Sequence, residues 1–402
     1  MDIFIARQPI LNAHKRLFAY ELLYRGTKKF TLATVSGNKA TTSVLSSAFL
    51  TEGIDKISGS RPCFINFTRQ LLLQNLPASF PKTMIVVEIL EDVPPTPDVV
   101  RICQKLKHDG YTIALDDFIY DPSLDPLVGI ADIIKFDLRI SSLDTIERTM
   151  HRLSRYKLKF LAEKVETHEE FNLISKMGFT YFQGYFFCRP EKIKIREVDS
   201  AKINLINLLA EINRKTTSVK KIEKIIQEDV GLAYKLLRYI NSSYFYRFNK
   251  IESVSHAITY LGDMEIRRFI ILVLISELAT DKPTELVRMA VVRAKMCQLL
   301  SLDTALKEKN DEIFLMGLFS LLDAMLDTTM DFICERLSLS DNLRNALISR
   351  IGPYSPYLSL AICYEKHDKP GCLAAIKILG TGSEKLHQHY VEAIAFAESV
   401  LQ

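Results

Sequence analysis

The apolar pattern along this chain changes period near residue 190. Before it, short apolar runs alternate with amphipathic helical segments. The runs of strand length are DIFIARQ (2–8), LFAYELLY (17–24), CFINF (63–67), MIVVEIL (84–90), TIALDD (112–117), DIIKFD (132–137), KFLAEKV (159–165) and YFQGYFF (181–187). Several are apolar throughout instead of alternating, as expected of strands covered on both faces. Such runs, separated by amphipathic segments, predict a parallel barrel with helices outside. The gap between the first two runs is too short for a crossover helix, so that pair is expected to be antiparallel.

After the charged stretch RPEKIKIREVDSAK (189–202), read as a linker, nearly everything has helical spacing. INLINLLAEINR, VGLAYKLLRYINS, MEIRRFIILVLISELA, TELVRMAVVRAKMCQLLS and YVEAIAFAESVLQ all place apolar residues on one helical face. DKPTE (281–285) and IGPYSP (351–356) are breaks. The expected architecture is an α/β barrel followed by an all-α domain, with 402 residues being too many for one ordinary core.

Composition adds boundaries. A net charge of +4 is small for this length and gives no reason to expect nucleic-acid binding. The seven cysteines are scattered with no Cys-x-x-Cys pair, which reads as reduced thiols in a cytoplasmic protein. The opening MDIFIARQPILNAHK carries an acid at position 2 and no long apolar core, unlike a secretory signal. The longest apolar stretch, 269–279, is too short to span a bilayer, so no membrane association is expected.

Candidate chemistry lies at the ends of the apolar runs. There stand Glu21, Asn66, Glu88 with Glu91, Asp116 with Asp117, Lys135 with Asp137, Glu163 with Glu166, and Gln183. In a parallel barrel the C-terminal strand ends converge on one face. Oxygen donors gathered there suit a hard divalent cation such as Mg²⁺ or Mn²⁺, and so many carboxylates would repel without one. Any single acid is better explained as the cap of the next helix. Capping does not explain Asn, Lys and Gln at equivalent places, so a metal site on a barrel is the better account of the set.

These residues, in order, resemble the EAL domain, the bacterial phosphodiesterase module for cyclic di-GMP, over about residues 1–190. RQPI (7–10) is similar to the family's opening Gln-Pro-Ile, and YELLYR (20–25) to its Glu-Ala-Leu signature with Leu22 for Ala. FINFT, VEILE, LDDF, IIKFD, AEKVET and FQGYFFCRP follow in family order. The resemblance implies a TIM-like barrel over 1–195 and two-metal hydrolysis of cyclic di-GMP to linear pGpG. It implies Glu21, Asn66, Glu88 and Asp116 as metal ligands, with Asp117 completing a second site. Glu163 would be the general base and Lys135 would orient the water. Arg25 would grip a phosphate, with Gln8 also on the substrate side and Gln183 holding the metal–water network. Glu91, Asp137 and Glu166 would support them, Glu91 by anchoring the loop after the paired aspartates and Glu166 by supporting the base.

Two departures stand out. The family's glycine-rich loop after the aspartates is replaced by FIYDPSLDP (118–126), which lacks glycine and gains two prolines. In the family that loop couples the metal site to a homodimer of EAL domains. Lys164 replaces a family glycine beside Glu163. A solvated lysine is one reading of it, and a shift in the acidity of Glu163 another.

The second half, 196–402, is similar to HDOD, a helical signalling domain related to HD phosphohydrolases, on LLRYINSSYF, IESVSHAITYLG and the apolar helix after them. HD enzymes bind metal through a His-Asp pair. Ser320 and Leu321 stand at that place here, so this half is expected to bind a protein partner and not to hydrolyse. His256 reads as packing or capping, HQH (387–389) as an exposed alternation, and Arg267–Arg268 as a solvated face or a docking surface. Two functions remain. Retention of the polar residues favours an active phosphodiesterase regulated by HDOD. The altered loop favours a nucleotide receptor or interaction scaffold. The metal-ligand set tips the reading to the enzyme.

Overall fold

In the computed structural model all eight apolar runs are strands, and they close into one barrel in chain order. They are β1 (Ile3–Asn12), β2 (Leu17–Gly26), β3 (Cys63–Phe67), β4 (Ile85–Ile89), β5 (Thr112–Leu115), β6 (Ile133–Asp137), β7 (Lys159–Glu163) and β8 (Tyr181–Gln183). The structure describes residues 3–26, 58–188, 200–213, 222–223, 226, 230–241, 251, 253–337, 339–381 and 385–401. β1 and β2 form the expected antiparallel pair, and β1 also runs antiparallel to β8. Strands β2 to β8 are parallel. The chain divides into two compact units, Met1–Phe187 and Cys188–Gln402. The expected linker lies mostly, and the expected boundary at 195/196 wholly, outside the described residues.

Outside the barrel lie α1 (Arg69–Leu73), α2 (Pro97–His108), α3 (Asp125–Val128), α4 (Leu143–Arg152) and α5 (His168–Lys176). Several start where the sequence offers a cap. Ser142 accepts from Thr145 N (3.3 Å) and Thr167 from Glu170 N (3.0 Å). Between β5 and β6 the crossover shrinks to a 3₁₀ turn, Pro122–Leu124, and the single turn of α3. Prolines at the starts of both permit that and limit extension.

The second unit is helical throughout its described elements: α6 (Ser200–Asn213), α7 (Val230–Ile240), α8 (Val254–Leu278), α9 (Thr284–Leu302), α10 (Asn310–Phe319), α11 (Leu322–Leu326), α12 (Met330–Arg336), α13 (Asp341–Ile348), α14 (Ser355–Glu365), α15 (Lys369–Leu379) and α16 (Leu386–Leu401). α9 is buried along most of its length and packs against α10, α14 and α16. α8 breaks at Gly262 (φ 74°, ψ 173°), so YLG ends one helix and the apolar run begins another. Among the described residues no helix is long and apolar enough to cross a membrane.

Candidate active site at the barrel mouth

One residue from each strand joins a buried apolar layer inside the barrel: Ile10, Ala19, Phe64, Val86, Ala114, Ile133, Leu161 and Tyr181. Side chains two apart along a strand face the same way. Two residues C-terminal of each layer member on β2 to β8 stand Glu21, Asn66, Glu88, Asp116, Lys135, Glu163 and Gln183. On β1, which runs the other way, the equivalent residue is Gln8, two before Ile10 and opposite Glu21. The polar residues are therefore one layer, stacked on an apolar one. The sheet repeat that buries Leu161 also aims Glu163 at the mouth.

Lys135 stands at the centre, 1% exposed. Its Nζ lies against Glu88 Oε1 and Glu163 Oε1, 2.8 Å from Asp116 Oδ1 and 3.6 Å from Glu21 Oε2. Gln183 Nε2 donates to Gln8 Oε1 and Glu21 Oε2, both at 2.7 Å, and Asn66 Nδ2 donates to Glu21 Oε1 at 3.4 Å. Four carboxylates face one ammonium, leaving three formal negative charges uncompensated. Burial raises the Glu88 pKa well above its usual value, more than Lys135 can lower it. Burial likewise pushes Glu163 up to about 8. For Lys135, burial is outweighed by the carboxylates, Glu163 foremost, and its pKa rises well above normal.

This donor set fits a hard divalent cation. Two groups of carboxylates converge closely enough to share an ion, Glu21–Glu88–Glu163 and Asp116–Asp117–Glu163. Glu88 Oε2, Asp117 Oδ1 and Gln183 Oε1 are buried and accept no hydrogen bond among the described residues. Buried acceptors of this kind are costly unless a donor or cation meets them.

The supporting residues are arranged differently from expectation. Asp117 follows Asp116 with a left-handed backbone (φ 38°), and burial raises its pKa, with Asp116 and Asp137 adding to the effect. Asp137 points its buried carboxylate at Lys164 and also accepts from Arg139 N at 2.6 Å. Lys164 is therefore more than a solvated lysine. It is left-handed (φ 56°), which explains why glycine suits that position, and it is ion-paired to Asp137. Glu91, expected to anchor loop 118–126, lies past the end of β4. β4 ends two residues earlier, and Glu91 is exposed with no hydrogen bond or ion pair among the described residues. The loop is held by its own Tyr120–Asp125 bond (Tyr120 Oη donates to Asp125 Oδ1, 3.1 Å), by Arg152 of α4 over the Tyr120 ring, and by Phe118 packed edge-on against Phe136 of β6. Glu166 is exposed, and its amide donates to Glu170 Oε2 (2.8 Å). The backbone of Arg25, in β2, pairs with Phe4 of β1, and the Arg25 side chain lies outside the described ones.

Sequence reasoning missed Arg139 and the full weight of Gly184. Arg139 ties the β6 and β7 turns together through Lys164 O (3.2 Å) and Glu170 Oε1 (2.8 Å). Gly184 (φ 146°) brings β8 so close to Val165 that a Cβ would lie 2.0 Å from its carbonyl oxygen. The glycine inside an otherwise aromatic strand end was the available signal.

In the helical unit Ser320 is buried at the end of α10. Its hydroxyl accepts from Arg293 Nη1 (3.0 Å), and Arg293 grips Glu365 through Nε (3.0 Å) and Nη2 (2.7 Å). A buried ion pair thus lies beside Ser320. Arg267 and Arg268 are not a solvated face. Each is 9% exposed; Arg267 bonds Asp263, and Arg268 bonds Glu265 and Asp311 over the Phe314 ring. His256 is exposed in the first turn of α8, where its amide donates to the Ser253 cap. HQH is not an exposed alternation: it lies in α16, and His389 faces Asp303 at 3.3 Å.

Comparison with known proteins adds the family. The EAL domain matches residues 54–190 and the HDOD domain residues 203–326. The chain is 37% identical to the cyclic di-GMP phosphodiesterase CdgJ of Vibrio cholerae, over 99% of this chain and 93% of that protein. It belongs to the EAL–HDOD family. A second relative, YuxH of Bacillus subtilis, is 33% identical over 100% of this chain and 99% of its own length. An EAL domain protein from Listeria monocytogenes covers 46% of this EAL–HDOD chain and 87% of its own, at 22% identity and TM-score 0.39. The EAL match starts after RQPI and YELLYR, yet the strands carrying them, β1 and β2, complete the barrel of this EAL–HDOD protein.

Proposed function

We propose that this EAL–HDOD protein is a cation-dependent phosphodiesterase that hydrolyses cyclic di-GMP to linear pGpG. The observation that carries the reading is the polar layer at the mouth: carboxylates from β2, β4, β5 and β7 gathered around one buried ammonium with buried acceptors to spare. Glu21, Asn66, Glu88 and Asp116 would hold one divalent cation, Mg²⁺ or Mn²⁺, and Asp117 would complete a second site. Such cations, when bound, neutralise charge that develops on the phosphoryl oxygens. Glu163 takes a proton from the attacking water, a role that its raised proton affinity near neutral pH suits. Lys135 Nζ orients that water by donating to it. The new bond joins the water oxygen to phosphorus, the bond from phosphorus to a ribose 3′ oxygen breaks, and that oxygen takes up a proton to leave as the 3′ hydroxyl of pGpG. Gln183 fixes Glu21 and Gln8 in place. Arg25 and Gln8 contact the substrate. The HDOD half serves as the regulatory or output domain toward a protein partner, the EAL half supports a homodimer, and the protein works in the cytoplasm.

A second reading has its own observation. Loop 118–126 is pinned by Tyr120, Asp125 and Arg152 where the family carries glycines. That would suit a receptor that binds cyclic di-GMP without turnover. The deciding experiment is hydrolysis of cyclic di-GMP by the pure full-length chain with Mg²⁺, Mn²⁺ or EDTA. Conversion to pGpG that EDTA abolishes is expected. Tight nucleotide binding with no product in either metal would select the receptor.

A further inference from the structure

The Lys164 ammonium reaches from the turn after β7 to Asp137 at the end of β6. Asp137 is fully buried at its side chain, whereas the Lys164 side chain is 56% exposed. Around this pair stand Asp117, Glu163 and Arg139: Lys164 follows Glu163 directly, Asp137 pairs in register with Glu163, and Arg139 binds the Lys164 carbonyl. Asp117 is held beside the end of β6, where Asp137 stands, by the bond from Phe118 N to Lys135 O at 2.9 Å. The second carboxylate group, Asp116–Asp117–Glu163, thus has two members, Asp117 and Glu163, beside the Lys164 charge, whereas the first, Glu21–Glu88–Glu163, has only the shared Glu163 there.

A left-handed backbone disfavours lysine at this position. Glycine would avoid that cost but leave the buried Asp137 carboxylate without its ion pair. We propose that Lys164 is a built-in cation that weakens the second divalent-cation place relative to the first and so sets the cation concentration at which the site fills. This rests on reading the barrel as a cation-dependent phosphodiesterase. Removing the Lys164 charge exposes the second place to the full field of Asp137, a buried carboxylate that solvent screens poorly. It also frees Asp137 Oδ2 as another oxygen donor. A role confined to stability would predict the opposite, because a loosened turn binds ions less well.

Mn²⁺ titrated into the full-length chain by calorimetry separates these outcomes. Lys164→Gly suits the left-handed backbone and Lys164→Met keeps the side-chain bulk. Both should tighten the weaker Mn²⁺ site by about three- to tenfold. Lys164→Arg keeps the charge and should bind as wild type. Asp137→Asn should weaken that site, and Asp137→Asn with Lys164→Met should return it toward wild type. Unchanged or weaker Mn²⁺ binding in both Lys164→Gly and Lys164→Met overturns the proposal while leaving the phosphodiesterase reading intact. Wild-type protein that binds no Mn²⁺ overturns both.

Discussion

Lys135 and Glu88 form a buried ion pair two strands apart, and neither side chain is more than 1% exposed. Burial raises the proton affinity of Glu88, and likewise that of Glu163 beside the same ammonium. Between the usual glutamate value of 4.5 and about 8, folded Glu163 retains a proton that the unfolded chain has released. The folded state then binds more protons, so stability falls as pH rises through that window, by up to about 1.4 kcal/mol per pH unit for each such group. Urea unfolding in EDTA should show the midpoint dropping from pH 5 to pH 8 at roughly constant slope. Added Mn²⁺ should restore it most at the high end, where the carboxylates are free to bind. A midpoint that climbs with pH in EDTA would contradict the assigned burial of charge.

Glu163 and Glu21 make different errors when removed. Glu163→Gln keeps the shape and the hydrogen-bonding reach but cannot take a proton, so turnover of cyclic di-GMP should fall about 10²- to 10⁴-fold with nucleotide affinity nearly unchanged. Glu21→Ala removes a carboxylate that Gln183 and Asn66 both address. It should lose bound cation and turnover together. Elemental analysis of the full chain carrying Glu21→Ala with Glu88→Ala should find one cation fewer per chain than wild type, because the Asp116–Asp117–Glu163 group is left intact and the helical unit holds an Arg293–Glu365 pair beside Ser320. Wild-type rates in Glu163→Gln would remove it from the role of base.

The barrel was legible because two signals agreed. Runs such as IIKFD and IVVEI are mostly apolar, and each carries a charged residue at or next to its C-terminal end. The period of two then connects Ile133 to Lys135 and Leu161 to Glu163 without knowledge of contacts. What stayed hidden depends on partners distant in sequence. Asp137 shows no preference for Lys164 until β6 and β7 pair, and Arg267–Arg268 looks solvated until Asp311 and Phe314 arrive from another helix. Left-handed residues such as Lys164 are equally silent, since an unfavourable residue gives no local sign that its strain is offset.

Gly184 should tolerate no side chain. A Cβ would lie 2.0 Å from Val165 O and 2.5 Å from Val165 N, both backbone atoms, and φ is 146°. Gly184→Ala must push β8 from the β7 turn and break the bonds from Val165 N to Gln183 O (3.0 Å) and Phe186 N to Val165 O (3.2 Å). A loss of about 3 kcal/mol or more in urea unfolding is expected. Cation affinity should fall with it, as Gln183 is the residue displaced. Wild-type stability in Gly184→Ala would mean that the approach of β8 to Val165 is looser than described.

Arg293 and Glu365, both buried, should be harder to break singly than to replace together. Arg293→Met leaves a carboxylate in the core without its guanidinium and should cost about 3–5 kcal/mol. Glu365→Met leaves the reverse fault and should cost a similar amount. The double replacement removes both charges and should recover most of the loss, because the desolvation of the pair disappears with it. Denaturant unfolding of the full chain followed by fluorescence and by circular dichroism gives the comparison. Additive losses in the double variant would show that the two residues do not act as a pair.

Loop 118–126 makes the last distinction, between an enzyme slowed by its loop and a receptor that does not turn over. Phe118 packs edge-on against Phe136, with centroids 6.0 Å apart, and Phe118 N donates to Lys135 O at 2.9 Å. Tyr120 adds its bond to Asp125 and the Arg152 guanidinium 4.8 Å from its ring. Asp121 then caps the 3₁₀ turn through Ser123 N at 2.8 Å. Asp117 lies directly before this clamped segment, so its carboxylate has one arrangement where a glycine-rich loop would allow several. Replacing 119–123 with a glycine-rich sequence should leave Phe118 and Asp117 in place while freeing the segment to open and close. Tyr120→Ala should act in the same direction with a smaller effect, since it removes the ring contact and the bond to Asp125 but keeps both prolines. If the loop limits turnover, both changes raise kcat on cyclic di-GMP without tightening nucleotide binding, and the graft raises it more. If neither changes kcat, and wild type hydrolyses the nucleotide at a measurable rate, the loop is not the rate-limiting element. A graft that converts a silent wild type into an active enzyme would show that the metal-binding residues are competent and that the receptor behaviour resides in 119–123 alone.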